Sequence, residues 1–345
     1  MNKRLPIFDW IRSIAILIIL FHHLPNYTFN FYDLNNFGIP INLSFLNHLN
    51  RYFGLSLFVF VSGYLINIKK RYFTNWNEVK IFIERKLLRI FPLYYLALIF
   101  FCWMYNINQI LRILIHLFGL QLIFYGKDMI PIRTLWFIGL IVIYYSIFLL
   151  FKSSFLRKEI RIAIPVFFWV LFLILPRYFG LTDFRIALYY LVFFLGILCA
   201  EKELPNRKSW KYISCISIVC FTSLLIGFLN GYDYLIDEGG RLLVRYAILN
   251  IFMFSFSISV YNICWGLAKY LKFCSPICTV IAYASYGMYL FHRPIWYVMQ
   301  KGLNIYLAID DRYLLFIFLI LVGLPLIFGF SYQLQKIYNK CLQTN

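Results

Sequence analysis

Acidic side chains are scarce in this chain: 14 Asp and Glu stand against 33 Lys and Arg. Charged residues of both signs make up 14% of it, where soluble domains carry about 25%. No polar stretch is long enough to form a separate soluble domain, which excludes a water-soluble globular fold. Cysteine is present at eight positions (102, 199, 215, 220, 264, 274, 278 and 341) but never as a paired CxxC, so a thiolate metal centre is excluded. Cys274 and Cys278, the nearest pair, read as packing residues. No internal repeat relates the two halves by eye, which speaks against a repeat-built secondary transporter.

Apolar residues fill the chain instead. Hydrophobic residues account for 62% of it and aromatics for 21%, and the mean hydropathy is +0.75. Apolar runs long enough to cross a bilayer recur with short polar gaps, which predicts an all-α, polytopic integral membrane protein with one transmembrane domain over 1–345. Ten spans are expected, near 7–24, 52–68, 87–105, 134–151, 160–178, 184–200, 212–229, 244–262, 279–299 and 313–335. Segment 107–125 is interrupted by Arg112, His116 and Gln121 and reads as an interfacial or re-entrant helix. Lys3 and Arg4 before the first span resemble the start of a signal peptide, but no small-residue cleavage site follows His23, so the span is expected to be retained.

The net charge of +19 raises the question of nucleic acid, and the distribution of the charge answers it. With ten spans the termini share a side, and the gaps on that side hold roughly twice as many Lys and Arg as the opposite gaps, while acids favour the other side. The termini are therefore expected to be cytoplasmic, with the cations serving topology and no nucleic acid as partner.

The first span, Asp9-Trp-Ile-Arg12-Ser-Ile-Ala-Ile-Leu-Ile-Ile-Leu-Phe-His22-His23, carries ionisable groups inside an apolar run. Arg12 and His23 are eleven residues apart, about three helical turns, so they share one face at an axial separation of about 16 Å. Asp9 lies one turn before Arg12 and can pair with it. The plainer alternative is a snorkelling polar start and an interfacial histidine end. Intramembrane ionisable residues more often mark a pathway or site. The Arg12 spacing favours His23, and His22 is an alternative to it.

Three further stretches stand out. Glu84-Arg85-Lys86-Leu-Leu-Arg89-Ile-Phe-Pro92-Leu-Tyr-Tyr gathers Arg85, Lys86 and Arg89 on one side of a helix start, a fork suited to phosphate as well as to topology and anionic lipid. Phe-Val-Ser62-Gly63-Tyr64-Leu-Ile contains small residues that permit close helix approach. Ser285-Tyr-Gly287-Met-Tyr289-Leu-Phe-His292-Arg293-Pro294 ends in an intramembrane histidine open to a site role.

These four stretches, in this order, resemble the membrane-bound acyltransferase 3 family along essentially the whole chain. The family's arginine, ten residues and histidine are matched by Arg12 and His23, and its serine-glycine-tyrosine by Ser62, Gly63 and Tyr64. Its basic residues before an aromatic-Pro-Leu-Tyr-Tyr tail are matched at 85–95, and its late span at Ser285 to His292. Two departures stand out. The paired-arginine pattern reads Lys86-Leu-Leu-Arg89, unless Arg85 substitutes, and no glutamate follows Leu135-Trp136. If a carboxylate is needed, Asp9 is the acid left within a span.

The resemblance implies transfer of an acyl group, acetyl being expected, from cytoplasmic acyl-coenzyme A to a hydroxyl or amine of an extracytoplasmic or lipid-linked glycan. Arg85, Lys86 and Arg89 are expected to hold the donor's phosphates. Arg12 orients it, His23 acts as general base or acyl carrier, Asp9 is the third catalytic residue, and Ser62, Tyr64 and His292 support the site. Acyl-coenzyme A is then a co-substrate, with no permanently bound cofactor and no metal. The family's appended esterase-like domain is not expected, so the membrane domain or a separate partner completes the transfer. Tyr32, Asp33, Asp233 and Tyr234 are guesses for sugar contacts. The expected location is a bacterial cytoplasmic membrane, and the oligomeric state is left open. The competing reading is a non-catalytic polysaccharide transporter or flippase, which does not need a cytoplasmic phosphate fork. A purely structural subunit has little reason to bear the cost of buried Arg12, His23 and His292.

Overall fold

The computed structural model describes residues 5–69, 72–124, 130–230 and 242–343. It is 82% helix, with no strand among the described residues. In chain order the helices are α1 (Pro6–His23), α2 (Ser44–Asn67), α3 (Trp76–Met104), α4 (Ile110–Leu117), α5 (Trp136–Lys152) and α6 (Lys158–Ile174). They continue with α7 (Arg185–Glu201), α8 (Ser209–Leu229), α9 (Leu242–Tyr270), α10 (Ser275–Leu307), α11 (Arg312–Phe318) and α12 (Leu324–Gln343).

Among the described residues, eight helical stretches are long and apolar enough to cross a membrane, as in a polytopic membrane protein. They begin with Pro6–Asn26, Ser44–Asn67 and Trp76–Met104 and end with Lys272–Leu307 and Arg312–Leu342. The expected spans 134–151 and 184–200 fall on α5 and α7, of 17 residues each. At 1.5 Å per residue each is about 26 Å long, a little under the roughly 30 Å of a hydrocarbon core. Segment 107–125 contains α4, whose eight residues rise only about 12 Å and cannot span.

The chain forms two compact units, Met1–Val61 with Lys208–Asn345, and Ser62–Arg207. In the first, α1 lies along α10 and α9, and α12 packs on α10. Small residues set these approaches. A Cβ on Gly54 would come within 3.1 Å of the Ala15 carbonyl oxygen, and one on Gly287 within 2.9 Å of Ser331 Cβ. Asp311 caps α11 by accepting from the Tyr313 and Leu314 amides at 2.8 and 2.9 Å.

In the second unit, Gly63 serves the same purpose. A Cβ there would lie inside the van der Waals shell of the Phe193 carbonyl oxygen, so α2 and α7 meet only because residue 63 has no side chain. Asn75 starts α3 by accepting from the Glu78 amide at 2.9 Å, and the Glu78 carboxylate accepts from the Thr74 amide at 2.8 Å. Two charged groups inside this unit are paired. Lys152, only 1% exposed, holds its ammonium 2.7 Å from Glu201 Oε2 and 4.6 Å from the Tyr72 ring centre. Asn67 Nδ2 donates to the same carboxylate oxygen at 2.7 Å. At Asp183, Arg185 forms a two-pronged ion pair and stacks its guanidinium 4.2 Å over Trp136.

Buried His116 is likewise closed. Its Nδ1–H donates to the Arg112 carbonyl at 2.8 Å, and its Nε2 accepts from the Ile132 amide at 2.9 Å. Burial lowers its pKa from 6.5 to about 4, with the neighbouring Arg112 charge pushing the same way, so the ring is neutral at neutral pH.

Candidate functional site

The end of α1 carries two histidines in succession, and the packing of α1 along α10 brings a third beside them. His23 and His292 stack nearly parallel, with ring centres 5.2 Å apart and planes 11° from each other. His22 lies beside His23, ring centres 4.6 Å apart. Arg293, 6% exposed, reaches His23 Nδ1 with its Nη2 at 2.9 Å. Three imidazoles and a guanidinium thus form one cluster in the first unit.

Each outer ring is anchored by backbone. His22 Nδ1 lies 2.9 Å from the Asn47 carbonyl oxygen and 2.8 Å from its side-chain oxygen. His292, fully buried, points Nδ1 back along α10 to the carbonyls of Tyr289 at 2.9 Å and Met288 at 3.1 Å. Its Nε2 is buried without a hydrogen-bond partner among the described residues, as are Nε and Nη1 of Arg293 and Nε1 of Trp296. Leaving so many polar atoms unpaired costs about 1–3 kcal/mol each, more for a charged group. Such atoms can be satisfied by the polar atoms of a ligand. Trp296 stands edge-on to His292 at 5.6 Å and against Tyr27 at 5.6 Å.

The other residues singled out by sequence are distributed as follows. Asp9 is buried near the start of α1 and accepts from the Thr279 hydroxyl of α10 at 3.1 Å. Arg12, half-buried, lies on α1 between Asp9 and His23, on the face of His23. Ser62, Tyr64, Arg85, Lys86 and Arg89 belong to the second unit. Arg85 and Arg89 are exposed on α3, one turn apart. Lys86 turns its ammonium over the rings of Tyr145 at 4.6 Å and Phe82 at 5.5 Å. Tyr32 is half-buried, and its hydroxyl accepts from Asn50 at 2.8 Å. Asp33 accepts from the Asn35 amide at 3.2 Å. Asp233 and Tyr234 lie outside the described residues.

Arg293 is the group to which the sequence reading gave no role. Its signal was an arginine next to a histidine inside an apolar span, the costliest kind of neighbour to keep there. Residues 5–334 match the family model for an acyltransferase domain. No curated protein and no solved structure matches the chain.

Proposed function

The chain belongs to the acyltransferase 3 family and is a membrane acyltransferase, and from that premise we propose that it moves acetyl from acetyl-coenzyme A to a hydroxyl or amine of an extracytoplasmic or lipid-linked glycan. The family match over residues 5–334 carries this reading. The cluster around His23 supports it, because acyl transfer needs an N–H donor for the carbonyl oxygen and a bare nitrogen for the acceptor's proton. In this proposal Arg85, Lys86 and Arg89 hold the phosphates of coenzyme A on the cytoplasmic side, and Arg12, with Asp9, orients the donor further along α1. Ser62 and Tyr64 support the donor side, while Tyr32 and Asp33 meet the sugar. Acyl-coenzyme A is consumed as co-substrate, and the host is the cytoplasmic membrane of a bacterium.

The test is transfer of radiolabelled acetyl from acetyl-coenzyme A to envelope glycans in membranes carrying wild type or His23→Ala at matched protein levels. Label with the wild type alone is the expected result. Equal labelling by both would remove His23 from the chemistry. Absence of label with acetyl, propionyl and longer acyl donors would favour a polysaccharide transporter.

A further inference from the structure

Resting on the acyl-transfer reading, we infer that the acceptor is an acidic molecule and that Arg293 seats its carboxylate or phosphate beside the group to be acylated. The observation behind this is a buried charge without a counter-charge. Arg293 is 6% exposed and takes part in no ion pair among the described residues. Its Nη2 lies 2.9 Å from His23 Nδ1, and an imidazole that accepts there is neutral. Its Nε and Nη1 are buried with no hydrogen-bond partner among the described residues. A buried lysine can escape such a position by losing its proton, but a guanidinium stays charged. Only an anion brought close to it offsets that burial.

The described part of the first unit does not supply one. Its acids are Asp9, Asp33, Asp310 and Asp311. Asp9 accepts from the Thr279 hydroxyl at 3.1 Å near the start of α1, about 21 Å along the helix from His23. Asp33 accepts from the amide and side-chain nitrogens of Asn35 at 3.2 and 2.7 Å, Asp311 caps α11, and Asp310 is exposed. The charges that act on neighbouring His22 are those of Arg293 and Arg51, both positive. Elsewhere Lys152 and Arg185 each keep a carboxylate of their own, Glu201 and Asp183.

The atoms beside Arg293 define what else the ligand carries. His292 Nδ1 faces two backbone carbonyls, at 2.9 and 3.1 Å, and holds the proton of the neutral ring, which leaves Nε2 as a lone pair. That nitrogen is buried and unpartnered among the described residues, and it suits the hydrogen of a hydroxyl or amine. Trp296 Nε1–H, one turn beyond Arg293 on α10, is a further unpartnered donor. It has room because residue 323, which closes the π-helical turn Leu319–Gly323, is glycine: a Cβ there would come within 3.1 Å of it. A molecule that satisfies all three carries an O–H or N–H next to an anionic group with several acceptor oxygens. A neutral sugar offers the first and lacks the second. The thioester carbonyl of the donor is uncharged until it is attacked, so it leaves Arg293 without a counter-charge in the resting complex. A carboxylate or phosphate supplies one from the moment of binding, and Arg293 then selects the acceptor by its charge.

The test uses membranes carrying the full chain, radiolabelled acetyl-coenzyme A, and host envelope glycans in four forms: untreated, carboxyl-reduced, dephosphorylated, and treated both ways. Wild type should label the untreated glycan with a kcat/KM at least about 30-fold above that of the doubly treated form, the size expected when a buried charge loses its partner. Carboxyl reduction alone reproduces the loss if the anion is a carboxylate, and dephosphorylation alone if it is a phosphate. Arg293→Gln, which keeps an N–H for His23 but no charge, should label the untreated and doubly treated forms alike. Equal kcat/KM of wild type for those two forms overturns the proposal, as does an Arg293→Gln that keeps the wild-type preference. Loss of kcat in Arg293→Gln by the same factor for every form assigns the charge to the developing oxyanion instead, and also overturns it.

Binding separates this inference from the acyl-transfer reading. Purified wild type in an uncharged detergent, titrated with fluorescently tagged glycan, should bind the untreated form at least about 30-fold more tightly than the doubly treated one, and Arg293→Gln should erase the difference. If wild type transfers no label from any acyl donor yet shows this Arg293-dependent binding, the acyl-transfer reading falls and the anion seat stands. Wild type that binds both forms equally removes the seat whether or not it transfers acetyl, and that comparison needs no folded variant.

Discussion

His116 and His292 start alike and finish differently. Both are buried, and both turn Nδ1 back to the carbonyl four residues earlier in their own helix, Arg112 in one case and Met288 in the other. In His116 the second nitrogen receives the Ile132 amide, and the ring becomes a bracket joining α4 to the segment before α5. In His292 the second nitrogen has no partner among the described residues, and beside it stand a stacked imidazole and an arginine with two unpartnered nitrogens. A satisfied histidine is part of a scaffold. One whose second nitrogen is buried without a partner among the described residues bears the cost of desolvation without return and can meet a ligand's polar atom.

The sharpest way to break the contrast is to truncate each ring. His292→Ala should lower acyl transfer by about 100- to 10,000-fold while leaving the detergent melting temperature within a few degrees. His116→Ala should do the reverse. It strands the Ile132 amide and should cost about 1–3 kcal/mol, read as a fall in melting temperature, with the specific activity of the folded fraction kept. Next in size is the ion pair of buried Lys152 with partly exposed Glu201. Glu201→Gln leaves the Lys152 ammonium inside the protein without its counter-charge, and about 3 kcal/mol of stability should be lost in thermal unfolding of the solubilised protein.

A pH series sharpens the comparison further. The folded pKa of His116 is depressed to about 4, so the unfolded chain binds its proton more readily than the folded one. Its contribution is intact above pH 6.5 and is lost as pH falls toward 4, amounting to about 2 kcal/mol at pH 5. Thermal scans at pH 7 and pH 5 should differ by more in wild type than in His116→Gln. The smallest effect is expected at the exposed pair. Arg85→Gln with Arg89→Gln should raise KM for acetyl-coenzyme A several-fold with little change in kcat, steady-state kinetics being the check.

Most of the helical architecture was legible because hydropathy reads directly as burial in lipid. The run expected at 212–229 is α8 within three residues, and that at 134–151 is α5 within two. Ends in the longer helices were not legible. The expected 279–299 lies inside the 33 residues of α10, because polar residues such as Gln300 and Lys301 continue the helix beyond its apolar part. At the site, His23 and His292 could each be picked out as ionisable groups in apolar spans. Their stacking could not, since no periodicity relates residues on α1 and α10. The same reason hid Lys152. In sequence it is one more cation in a basic gap, and only the carboxylate 49 residues later explains why it is buried.

That ion pair also has a place in time. Chains emerge at about 5–20 residues per second, so the ammonium of Lys152 is made about 2–10 s before Glu201 exists to meet it. During that interval α5, 17 residues long and ending in a cation, lacks the carboxylate that later meets that end. Water or lipid phosphate must solvate it until α7 arrives. The Lys152–Glu201 contact therefore forms only after α7 has been made.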